Sequence, residues 1–78
     1  MKLKLLSYNI RYGGVGREAY LSAVIRSCDP DIVVFQEATR PAVIERIASD
    51  TGMSVWAARA GHSLAFMSRL PMAFGLTS

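Results

Sequence analysis

One side chain in this sequence, Glu37, is of the right type and stands at the right kind of position to hold a hard divalent cation, and Asn9 holds the matching position at the end of an earlier strand. Glu37 follows the run Ile32-Val33-Val34-Phe35-Gln36, and Asn9 follows Leu5-Leu6-Ser7-Tyr8. A carboxylate at the mouth of a strand can hold Mg²⁺ without being forced into the dry core. On position alone, Glu37 reads equally well as a metal ligand and as an acid that caps the next helix or pairs with Arg40. Asn9, on position alone, reads better as a turn former that bonds its own backbone.

The elements that must position these two residues follow from the apolar pattern. The segment 31–37 is short, rich in β-branched and aromatic residues, and bounded by Pro30 and Arg40-Pro41; it predicts a strand buried on both faces. Leu3 to Ile10 predicts an earlier strand, with Leu3, Leu5, Ser7 and Asn9 sharing one face. Between them Leu21, Val24, Ile25 and Cys28 recur at helical steps over 17–28, and Asp29-Pro30 ends that helix. Strand, helix and strand form a βαβ unit whose strands run parallel. Both carboxyl ends then open on one edge of the sheet, so Asn9 and Glu37 are expected to converge.

Further along, Thr39 is an expected N-cap with Pro41 in the first turn, Val43, Ile44, Ile47 and Ala48 mark a second helix, and Gly52 ends it. Ser54 to Ala58 and Ser63 to Ser68 read as an antiparallel hairpin with a turn of three or four residues, and Met72 to Leu76 as the start of another strand. Tyr8, Trp56 and Phe66 are expected in the core. Gly13-Gly14-Val15-Gly16 lacks both the Lys-Ser/Thr ending of a P-loop and the GxGxxG spacing, so it reads as a flexible turn before it reads as a phosphate cradle. The single histidine, His62, reads as an exposed turn residue.

The chain has 78 residues, of which 51% are hydrophobic and only 19% charged. A domain of that size buries only about 60% of its unfolded surface. There is more apolar side chain than one small core can hide, so the chain is expected either to pair with a second copy or to be a piece of a larger domain with one sheet face left uncovered. The net charge of +3 favours anionic partners only weakly, because the basic residues are scattered along the chain. Cys28, alone, cannot close an internal disulfide, which fits a reducing compartment. The start Met1-Lys2-Leu3-Lys4-Leu5-Leu6 stops short of a signal peptide at Ser7, and no stretch approaches the about 18 apolar residues of a bilayer span. The expected location is cytoplasmic.

Three stretches, in order, resemble the opening of endonuclease/exonuclease/phosphatase domains: Leu6-Ser7-Tyr8-Asn9-Ile10-Arg11, Pro30-Asp31-Ile32-Val33-Val34-Phe35-Gln36-Glu37, and Leu64-Ala65-Phe66-Met67-Ser68-Arg69-Leu70-Pro71. The resemblance implies an α/β fold in which 1–78 form the amino-terminal part of a four-layer α/β/β/α sandwich, with two mixed sheets packed face to face and helices outside. It implies hydrolysis of phosphodiesters or phosphomonoesters with Mg²⁺ or Mn²⁺, on nucleic acid, nucleotides or phosphorylated headgroups. It also implies that Glu37 is a metal ligand, that Asn9 helps hold the metal or orient the phosphate, and that Gln36 supports them. Such domains carry a downstream Asp-x-Asn pair and a Ser-Asp-His segment, neither of which occurs here, and His62 matches neither. A general acid or base must reach the reacting atoms, so this chain by itself is expected to be a phosphoesterase portion without hydrolytic activity. The competing expectation is a non-catalytic α/β module that self-associates through an uncovered sheet face.

Overall fold

The computed structural model describes residues 3–11 and 14–70. Their element order is β1 (Leu5–Asn9), α1 (Glu18–Cys28), β2 (Ile32–Gln36), α2 (Pro41–Thr51), β3 (Val55–Ala57) and β4 (Ala65–Ser68). The fold is α/β, with a mixed four-stranded sheet in the order β1-β2-β4-β3. β1 and β2 run parallel and are joined through α1, while β4 runs antiparallel to both β2 and β3. The register pairs Leu5 with Ile32 and Asn9 with Gln36. The expected βαβ unit is therefore present. The segment 72–76 lies outside the described residues.

Both helices bury their apolar stripes against one core. From α1 come Leu21 and Ile25, and from α2 all four expected positions, Val43, Ile44, Ile47 and Ala48. They close over Val33 and Phe35 of β2 and Ala65 and Met67 of β4. This layer has a consequence for β2 that corrects the sequence reading. Val33 and Phe35 are fully buried, but Ile32, Val34 and Gln36 are only half-buried. A strand buried on both faces needs cover on both, and among the described residues only the helix side is covered. Phe66 and Val34 lie on the uncovered side, paired across β2 and β4. Trp56, on the short strand β3, is 36% exposed and not core, whereas Tyr8 does pack against the core.

The helix ends show which local signals acted. Asp29 closes α1 in a left-handed conformation, donating its N–H to the carbonyl of Ile25 at 2.8 Å. Gly52 closes α2 likewise, at φ 74°. The N-cap of α2 is Arg40 and not Thr39, with Pro41 as the first helical residue. Proline confines the preceding residue to extended backbone, which is where Arg40 sits and where a helix must begin. The hairpin turn is longer than expected, because β3 and β4 pair only over Val55–Ala57 and Phe66–Ser68.

Gly14 is not a free turn. It is buried at φ 76°, and a Cβ there would meet the Cδ1 atoms of Leu21 and Ile10 and a γ-methyl of Val43 at 3.1–3.2 Å. Its N–H donates to the carbonyl of Arg11 at 2.9 Å, and its own carbonyl accepts the N–H of Arg17 at 3.1 Å. Gly14→Ala is expected to cost about 1–3 kcal/mol, from overpacking and from a left-handed backbone that alanine resists. A denaturant melt that leaves the midpoint unmoved would refute this placement.

At the amino end of β2 a charged clamp ties three segments. Arg69 reaches Asp29 and Asp31, both at 2.8 Å, and its N–H donates to the carbonyl of Asp31. The Asp31 carboxylate also accepts the N–H of Lys4 at 2.9 Å. That backbone bond, and then Arg69, hold the Asp31 carboxyl below its ordinary pKa. A depressed folded-state pKa means the clamp stabilises the fold above the ordinary aspartate range and is lost as pH falls through the folded value. Acid unfolding followed by circular dichroism should therefore lose a component below about pH 4 in Asp31→Asn; an unchanged acid profile would contradict it. Neighbouring Ser68 is fully buried, its hydroxyl accepting the N–H of Leu70 at 2.9 Å. The Ser-Arg pair of the third motif is thus a structural fastening.

Candidate functional site

β1 and β2 run parallel, and β3 runs the same way because β4 is antiparallel to both β2 and β3. Three carboxyl ends therefore share one edge. There Asn9 stands opposite Gln36, and the pairing continues one step further as Ile10 donates its N–H to the Gln36 carbonyl at 3.1 Å. Glu37 is the next residue. Neighbouring strands lie about 4.8 Å apart, so the parallel pair delivers Asn9 and Glu37 to the same rim on adjacent strands.

Both strands leave the sheet through a residue in the left-handed region, Arg11 at φ 52° and Glu37 at φ 58°. For a residue with a Cβ this conformation costs about 1–2 kcal/mol, and such outliers collect at functional loops. At β1 the turn is stabilised locally: the Asn9 Oδ1 accepts the N–H of Arg11 at 3.0 Å. The Arg17 guanidinium adds to this by donating to the carbonyls of Ile10 and Arg11. The turn-former reading of Asn9 is what the hydrogen bonds display, and it leaves the amide oxygen one further lone pair. Arg17 was not legible as part of this edge, because no motif announces a side chain that reaches back over a loop.

Glu37 is exposed, and among the described residues its carboxylate has no hydrogen bond or ion pair. The expected alternative of pairing with Arg40 is not realised, since Arg40 makes no ion pair there. Gln36 turns its amide to Ser7, donating to the hydroxyl at 2.8 Å on the uncovered sheet face. Tyr8 points to the helical side, where burial first and then Tyr20 raise its hydroxyl pKa.

The loop between β3 and β4 is fastened to this rim. Ala38 donates its N–H to the Ser63 carbonyl at 2.8 Å, and Gly61 to the Thr39 carbonyl at 3.2 Å. His62 is an exposed turn residue as expected, yet these bonds place its loop beside the Glu37 loop. No group of three or more His, Cys, Asp or Glu placed to hold a metal occurs among the described residues. The donor set at the rim is one unpaired carboxylate, Glu37, and the Asn9 amide oxygen, which already accepts the Arg11 N–H. It does not fit a structural Zn²⁺ site, which needs four nitrogen or sulfur ligands.

Comparison with family models, with curated proteins and with solved structures returns no match to this chain. Among the described residues no helix is long and apolar enough to cross a membrane.

Proposed function

We propose that this chain supplies the metal-gripping edge of a Mg²⁺- or Mn²⁺-dependent phosphoesterase of the endonuclease/exonuclease/phosphatase type, with Glu37 as a metal ligand and Asn9 beside it. The observation that carries the reading is the unpaired Glu37 carboxylate, held in left-handed backbone on the strand adjacent to Asn9. A divalent ion bound there supplies charge for a phosphoryl oxygen and for the leaving oxygen of a phosphoester. The chain's own part is to place the carboxylate and the amide beside neighbouring strand ends, where a ligand can meet both. One layer of helices on one face of a mixed sheet also agrees with half of a four-layer sandwich.

With no Asp-x-Asn or Ser-Asp-His segment to move protons, the chain by itself is expected to bind the metal without hydrolysing esters. Titration of Mg²⁺ or Mn²⁺ into the chain, followed by amide chemical shifts, should perturb the rim residues 9–11 and 36–38. Glu37→Ala should abolish the perturbation, and an unchanged titration would refute the assignment.

The uncovered sheet face supports a second reading, a module that self-associates. Leu5 at 63% exposure stands on that face, with Ile32, Val34 and Phe66 half-buried beside it. Light scattering after size exclusion separates the two. An oligomer indifferent to Mg²⁺ and to Glu37→Ala supports the module, and a monomer that binds Mg²⁺ supports the phosphoesterase.

A further inference from the structure

Apart from Arg17, whose guanidinium is engaged by the Ile10 and Arg11 carbonyls, the arginines divide by place. Toward the amino end of β2, Arg69 is paired with Asp29 and Asp31, Arg46 with Asp50, and Arg26 donates to the Asp50 carbonyl. At the opposite rim, Arg11, Arg40 and Arg59 make no side-chain hydrogen bond or ion pair among the described residues. Each follows one of the three strands that end there: Arg11 after β1, Arg40 after β2 and Arg59 after β3. The strand order spreads them along the sheet, since β1 and β3 are its two edges. Three spacings of about 4.8 Å put those edges about 14 Å apart. The backbone bonds from Ala38 to Ser63 and from Gly61 to Thr39 hold the Arg40 and Arg59 loops side by side.

A row of unpaired guanidiniums that long suits an extended polyanion better than a compact one. Against Arg59 and His62 a cavity of about 590 Å³ opens on the uncovered face, with Val34, Ala57, Leu64 and Phe66 forming its apolar wall. An apolar cavity beside a cationic row is the pairing that accepts unstacked bases along a phosphate backbone. In a duplex the bases are stacked and paired and cannot enter it. We propose that this rim binds single-stranded nucleic acid, with Arg11, Arg40 and Arg59 on successive phosphates and a base in the cavity beside His62. The inference rests on the phosphoesterase reading only for the sense of its site, naming the substrate class that the Glu37 rim would receive.

The test is fluorescence anisotropy of labelled oligothymidylate with the whole chain, in EDTA so that metal binding plays no part. Three phosphate contacts on a single strand give a slope of about −2 in log affinity against log salt. Arg11→Ala, Arg40→Ala and Arg59→Ala should each flatten the slope by about 0.7 and weaken binding about fivefold at about 0.1 M salt. Arg46→Ala, on the far side, should change neither. Leu64→Ala should weaken single-strand binding and leave the slope alone, and circular dichroism on every variant keeps loss of fold distinct from loss of contact. The proposal is overturned if the rim variants behave as Arg46→Ala does, if the matching duplex or phosphatidylserine vesicles bind as tightly as the single strand, or if there is no salt-dependent binding. Glu37→Ala tells the two readings apart: it should lose Mg²⁺ and keep, or slightly tighten, the oligonucleotide. Oligonucleotide binding with no Mg²⁺ binding would overturn only the metal site, and the reverse would overturn only this inference.

Discussion

Phe35→Ala is expected to leave little of the chain folded at room temperature. Phe35 is fully buried in the central strand, within the core that Ile25, Ile44, Ile47 and Met67 also enter. Removing so large a side chain from a closed core costs about 3–5 kcal/mol. A chain of 78 residues has a total stability of about 4–12 kcal/mol at ordinary per-residue values. One sheet face without cover argues for the lower end of that range, so a single truncation removes most of it. The control is next door. Val34 points to the uncovered side and is half-buried, so Val34→Ala should cost about 1 kcal/mol or less. Urea unfolding followed by tryptophan fluorescence would show the contrast, and equal losses at the two positions would refute a one-sided core.

The second large effect separates function from stability at one residue. Glu37→Gly removes the only carboxylate proposed to hold the metal, so Mg²⁺ affinity should fall at least about tenfold, in practice beyond detection. Stability should move the other way. At φ 58° glycine avoids the about 1–2 kcal/mol that a Cβ costs there. Against this stands about 0.4–1 kcal/mol of extra freedom gained by the unfolded chain. The expected net is a gain of about 0.5–1 kcal/mol. Glu37→Ala loses the metal equally but keeps the Cβ, and should not be stabilised. Calorimetry on the two variants settles the matter: a destabilised glycine variant would mean the carboxylate holds the loop together rather than waiting for an ion.

Much of the fold was legible because local and global signals agree. Val43, Ile44, Ile47 and Ala48 recur at helical spacing, and all four are buried. The Asp29-Pro30 stop and the Gly52 stop fall where the helices end. That the strand ends at Asn9 and before Glu37 open on one edge was legible too, as a consequence of the crossover alone. What failed to show was which sheet face the helices take. A run such as Ile32-Val33-Val34-Phe35 is apolar at every position, so its alternation is silent about cover, and the apolar strand patterns around Trp56 and Phe66 do not say which face the helices take. The pinning of the His62 loop to the Glu37 loop was invisible for another reason. It is made by backbone amides and carbonyls, which every residue carries.

The strand order also bears on how the chain is born. β2 sits between β1, which precedes it, and β4, which is not synthesised until residues 65–68. Until then one flank of Ile32-Val33-Val34-Phe35 has unmet amides and carbonyls on a greasy ribbon, the kind of template on which nascent chains stick to one another. A ribosome that pauses between residues 52 and 64 prolongs that interval, and a holdase chaperone that grips this ribbon shields it meanwhile.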